Sequence, residues 1–164
     1  MSENIVERLA GIAPSGPLGA ALQGRADVMA MTEATHDAAL KPADPGGLSH
    51  ALRAALAARV ARLNGEEALA AHYLALMAEA EGSEAEVAVA DPAFKGDDAG
   101  RIAAILAFTD LVSMRPRDTV AADIEALQAA GLSDPDIVRL AELNAFLAYQ
   151  IRVIAGLRLM RASA

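Results

Sequence analysis

There is no cysteine and no tryptophan in these 164 residues, and aromatic side chains make up only 3 % of them. Without a thiol the chain has no disulfide, no thiolate metal ligand and no redox dithiol. No run approaches the roughly 18 uninterrupted apolar residues of a membrane-spanning helix. The first residues, Met1 to Arg8, carry Glu3 and Glu7 where a secretory signal would be apolar. Positive charge is scarce as well. Against 22 acidic residues stand 14 Lys and Arg, and the net charge of −8 argues against nucleic acid or an anionic membrane as a partner. The expectation is a cytoplasmic protein of one domain spanning 1–164, long enough to bury a core.

What the chain does have is alanine, about a quarter of all residues, within a hydrophobic share of 54 %. That excess predicts closely packed helices, and the periodicity agrees almost throughout. A first helix is expected from about Pro17 to Leu40, with Leu22, Met29 and Ala30 on its buried side and Lys41-Pro42 stopping it. Ser49 reads as the N-cap of a helix with Leu52, Leu56, Val60 and Leu63 at helical spacing. Asn64-Gly65 interrupts it, and a second helix starts at Glu66 and ends near Gly82. After a loop over Asp91 to Asp98, a helix from about Ala99 to Met114 stops at Arg115-Pro116. Thr119 is expected to cap the next, which Gly131 closes, and Ser133 to cap the last. That final helix carries Ile137, Leu140, Asn144, Leu147, Ile151, Ile154 and Leu157, a near-heptad stripe suited to helix packing or an oligomer seam. No strand pattern or internal repeat is present, so the fold class is all-α.

Residues 64–77, N-G-E-E-A-L-A-A-H-Y-L-A-L-M, hold the richest chemistry. Spacings of three and four place Glu66, Leu69, His72 and Tyr73 on one helix face. Leu69 and Leu76 flank the imidazole, so burial would depress its pKa and a nearby carboxylate would raise it. A His poised near neutrality can protonate the carbanion left by CO₂ loss. A ketone or lactone carbonyl beta to the departing carboxylate delocalises the electrons, so no cofactor is required. The bland reading of the same residues is a well-capped helix with acidic groups in its first turn, a hydrogen-bonded core His and a packed Tyr. Arg59 or Arg152 would pair with a substrate carboxylate, or equally with Glu66, and Tyr149 is a further candidate beside a ligand. His36, His50 and His72 are dispersed, without the spacing of a metal motif, so no metal site is expected.

Leu48-Ser49 followed by an Arg- and Ala-rich helix, then Leu63-Asn64-Gly65 and a His-bearing helix, resembles the central helix pair of the carboxymuconolactone decarboxylase and alkylhydroperoxidase D-like family. Asp123, Ala130-Gly131-Leu132-Ser133, Asp136-Ile137 and a closing helix with Phe146, Arg152 and Gly156-Leu157 are similar to its C-terminal half. The resemblance covers about two-thirds of the chain. It implies an alkylhydroperoxidase D-like helical bundle of about six to seven helices around a central antiparallel pair, assembled as a dimer, trimer or hexamer.

The peroxidase branch of that family uses N-G-C-x-x-C-x-x-x-H with an upstream Glu. Aligned on Asn64-Gly65, its cysteines fall on Glu66 and Leu69, its His on Tyr73 and its Glu on Ala54. With no thiolate to attack a peroxide, that mechanism cannot operate. The decarboxylase branch resembles G-x-E-E-x-L-x-x-H, which Glu66, Glu67, Leu69 and His72 match with the Gly displaced by one. Two functions follow as expectations. One is a cysteine-less, non-catalytic or partner-dependent relative, pairing with a cysteine-bearing protein of the family or holding a hydrophobic ligand between helices. The other is a cofactor-free lyase or isomerase on a small carboxylated lactone, with His72 as acid/base and Glu66 or Glu67 orienting it.

Overall fold

A computed structural model describes residues 4–96 and 100–163. Among these, nine α-helices and one short 3-10 turn appear, and no strand. Helices α1 (Ile5–Ala10), α2 (Pro17–Gln23) and α3 (Ala26–Leu40) lead to α4 (His50–Leu63) and α5 (Glu67–Glu79). Then come α6 (Glu84–Val89), α7 (Arg101–Met114), α8 (Ala121–Ala129) and α9 (Asp134–Ala162).

Helix α4 lies at the centre, packed against α3, α5, α6, α7 and α9. Its sequence explains why. Positions 51 to 61 are all buried, and six of these eleven are alanine, so five neighbours can close around it. Helices α4 and α5 form the most extensively packed pair, joined by Asn64-Gly65-Glu66, where Gly65 takes φ +72°. Three arginines on α4 reach from this apolar axis to backbone carbonyls of loops and helix ends. Arg53 donates to Leu48, Ala39 and Pro45, and Arg62 to Ala90.

Arg59 is completely buried. It makes a forked pair with Asp110 on α7, at 2.6 and 2.7 Å, and donates to the carbonyls of Val89, Asp91, Phe94 and Pro92. One side chain thus fastens the segment after α6 and helix α7 to the central helix.

The expected 17–40 helix is broken. Gly24 and Arg25 separate α2 from α3, which resets the helical phase: Met29 is buried and Leu22 partly so, but Ala30 is exposed. Six or seven helices become nine for that reason and because α1 and α6, six residues each, are too short to announce themselves by periodicity. Their caps are strong all the same. The Asn4 carboxamide accepts from Val6 N, and Ser83 with Glu86 forms a reciprocal capping box. Thr119 does not cap α8. Its hydroxyl donates to Pro116 O, and Asp123 accepts the amide of Val120 instead.

Ser49 and Ser133 cap α4 and α9 as their positions predict. Asp136, one turn into α9, accepts from Gly47 N, Ser133 and Arg139. Burial pushes this carboxyl up, but those hydrogen bonds outweigh it and hold it below the usual carboxylate range. A Cβ on Gly47 would lie 2.4 Å from an Asp136 oxygen, so only glycine permits this approach.

Helix α9, 29 residues and roughly 44 Å long, packs against α1, α3, α4, α7 and α8. Its length and hydropathy alone would let it cross a bilayer. Asn144 in its apolar stripe is satisfied internally, donating to Leu140 O and accepting from Ser113.

Candidate acid–base site

The face of α5 that the sequence singles out points toward α3 and α9, and its members separate. Leu69 and Tyr73 are completely buried. The Tyr73 hydroxyl donates to Gln150 Oε1 on α9, and burial drives its pKa far up, against the smaller opposing pull of that bond. Gln150 is itself sealed, and its Nε2 has no acceptor among the described residues.

Glu66 accepts two hydrogen bonds from Arg158 Nη1, at 2.7 and 2.8 Å, and the same guanidinium donates to Leu9 O. This clamp ties α1, α5 and α9 together and occupies the carboxylate. Glu67 is exposed in the first turn of α5. Neither carboxylate touches His72.

What His72 does touch is another histidine. Its Nε2 lies 3.1 Å from Nε2 of His36 on α3. Nδ1 of His36 in turn lies 3.2 Å from Asp37 Oδ1. His36 is only 5 % exposed, whereas His72 is half-buried and Asp37 reaches solvent. Aromatic rings hold the pair in place. Tyr73 lies parallel to His36 with centroids 6.1 Å apart, Phe146 meets it edge-on at 6.1 Å, and Tyr73 is 5.2 Å from His72.

The His72 pKa is lowered to about 4, first by burial, then by His36, Arg8 and Lys41, with Glu79 opposing. At neutral pH the imidazole is therefore uncharged: burial takes it below the near-neutral poise expected of a proton donor and leaves it an acceptor.

This has a consequence for stability. An unfolded His72 takes up a proton near 6.5, the folded one only near 4. The neutral imidazole's contribution is complete above pH 6.5 and is lost as pH falls from there toward 4. In urea titrations between pH 7 and 4, the wild type should lose stability more steeply than His72→Gln. Parallel curves would show that His72 is not held neutral by the fold.

The remaining predicted residues lie elsewhere. Arg59 has every donor engaged in the α7 anchor described above, which leaves none for a substrate carboxylate. Arg152 is exposed and lines a cavity of about 230 Å³ with Phe108, Val112 and Asn144, between α7 and α9. Tyr149 is bonded to Thr32 at 2.8 Å and lines a cleft of about 590 Å³ between α3 and α9. That cleft borders the histidine pair: Thr32 is one turn from His36 on α3, and Phe146 forms part of both. His50 is half-buried, with Nε2 on Pro42 O at 2.9 Å.

The sequence reading treats His36 only as one of three dispersed histidines, and its pairing with His72 is new. Met29, Thr32, His36 and Leu40 form the buried edge of α3, a three-and-four spacing that was the available signal. No family model matches this chain, and no curated protein does.

Proposed function

We propose that this chain is a cysteine-free, alkylhydroperoxidase D-like relative of the carboxymuconolactone decarboxylases, in which proton transfer takes the place of thiol redox chemistry. The observation that carries this reading is the hydrogen bond between His36 and His72. It joins a buried imidazole to a half-buried one that is neutral at physiological pH. The four positions corresponding to the peroxidase machinery support it from the other side. Glu66 is ion-paired, and Ala54, Leu69 and Tyr73 are sealed.

A neutral imidazole reached from solvent is a base. The reaction it suits is removal of a proton from carbon next to a carbonyl, whose oxygen takes the electron pair as an enolate, with the proton returned to the same or an adjacent carbon. In the lyase variant the carboxylate leaves as CO₂, the electron pair is held as the enolate, and the carbon takes its proton from solvent water. Neither consumes an oxidant or reductant. Arg8 and Lys41 are the cations whose charge reaches His72, and the pairing of Lys41 with Glu79 at 3.3 Å offsets part of that field.

A second reading, a non-catalytic relative that holds an apolar ligand or partner, is favoured by the α3–α9 cleft, whose wall includes exposed Met31 and Tyr149. Both readings take the protein to be a cytoplasmic homo-oligomer, a dimer, trimer or hexamer. The deciding experiment incubates the purified protein with carboxymuconolactone in deuterium oxide. Deuterium uptake or CO₂ release above the buffer rate supports the first reading, and binding with neither supports the second. Reduction of an organic hydroperoxide by the protein with a dithiol donor would overturn both.

A further inference from the structure

We infer that Asp37, His36 and His72 form a single proton relay whose working atom is Nδ1 of His72, with His36 and Asp37 as positioning residues. The inference rests on the acid–base reading of the site and assigns its atoms.

The argument begins with how the rings meet. The two Nε2 atoms are 3.1 Å apart while the ring centroids are 5.3 Å apart. The separation of the centroids exceeds that of the nitrogens by nearly two ring radii, so the imidazoles meet tip to tip. Each nitrogen aims its lone pair or its hydrogen straight at the other. Such an arrangement suits one shared hydrogen, whereas an ion would need both lone pairs to converge on a point beside the line joining them.

Which nitrogen owns that hydrogen follows from the far end of the chain. The Asp37 carboxylate can only accept at neutral pH, so His36 Nδ1 must carry a hydrogen to meet it at 3.2 Å. The tautomer of His36 with its one hydrogen on Nδ1 leaves Nε2 bare, and that atom accepts. His72 must therefore donate from Nε2. Its own single hydrogen is thereby spent, and Nδ1 is left as a lone pair. That atom has no hydrogen-bond partner among the described residues, although the ring is half-exposed.

The same order of bonds tells where charge goes when a substrate proton arrives. Nδ1 of His72 takes the proton as the substrate C–H bond breaks and its electron pair moves into the carbonyl. The Nε2 hydrogen shifts toward His36, and the Nδ1 hydrogen of His36 shifts toward Asp37, whose exposed carboxylate neutralises the charge. Nothing is consumed, and return of the proton reverses each shift. The parallel Tyr73 ring and the edge of Phe146 keep His36 from turning out of line. Other charges facing His72 are Arg8, Lys41 and Glu79, on α1, after α3 and on α5 respectively.

Long-range ¹H–¹⁵N spectra of the full, ¹⁵N-labelled protein at pH 7 read the tautomers without any substrate. His72 should show a protonated Nε2 and an unprotonated Nδ1, and His36 the reverse. Asp37→Asn should scramble both tautomers into mixtures. It should lower kcat for exchange on carboxymuconolactone about 10- to 100-fold with KM nearly unchanged, the usual scale for a group that orients an imidazole. His36→Gln, whose amide oxygen can still accept from His72, should keep the His72 tautomer, whereas His36→Leu should lose it. Circular dichroism at pH 7 confirms that each variant is folded. A His72 protonated at Nδ1 in the wild type, or a His72 signal unmoved by His36→Leu, would overturn the relay. The predicted tautomers in a protein inactive toward carboxymuconolactone would leave the relay standing and count against the acid–base function alone.

Discussion

Replacing Arg59 with methionine should lower the unfolding free energy by about 3–5 kcal/mol, the usual cost of removing one member of a buried ion pair. For a domain of this size that is a fall in melting temperature of roughly 6–20 °C. Methionine fills a similar volume, so the loss is electrostatic more than steric. What stays behind is a carboxylate on α7 and carbonyls after α6, all arranged around a guanidinium with 0 % exposure. Lysine restores the charge but not the fork, and should recover only part of the stability. Asp110→Asn should cost less, because Asp110 is 25 % exposed and water can reach it. Chemical denaturation with and without each substitution settles the order. A loss below about 1 kcal/mol for Arg59→Met, the range of an exposed pair, would mean that water compensates the site.

His72→Ala should reduce proton exchange or decarboxylation about 10²- to 10⁴-fold, the range that a positioned acid or base contributes. The control lies in the neighbouring carboxylates. Were Glu66 or Glu67 to orient His72, as the short motif alone suggests, each should share that loss when changed to Gln. Instead Glu67 is solvent-facing and Glu66 is held by Arg158, so Glu67→Gln should leave kcat unchanged, and Glu66→Gln should weaken the fold rather than the chemistry. Steady-state kinetics on the three variants, each checked for folding, separate the two arrangements. Loss of kcat in Glu67→Gln would restore the carboxylate as partner.

The parts of this molecule that were legible in its sequence are those whose causes are local. Ser49, Ser133, Lys41-Pro42, Gly131 and Arg115-Pro116 mark the ends of α3, α4, α7, α8 and α9 because capping and chain-stopping act within a turn. His72 and Tyr73 were legible as chemistry-bearing neighbours on α5 for the same reason. Their partners were not. His36 lies 36 residues from His72, and Arg158 lies 92 residues from Glu66. Such pairings arise because α3, α5 and α9 all pack on α4, which no periodicity records. Arg59 was legible as a partner for a substrate carboxylate or for an internal one; the pairing is internal, but with Asp110 rather than Glu66, and with the carbonyls of Asp91 and Phe94, whose placement no spacing records.

The crowded alanines of α4 also separate two kinds of constraint. The innermost helix tolerates little beyond a methyl group at most of its buried positions, since larger side chains would push five neighbours apart. The groups capable of chemistry belong to the surrounding layer, on α3, α5 and α9. Substitutions at the exposed positions of that layer, such as Asp37 and Glu67, leave undisturbed the axle on which the assembly is mounted.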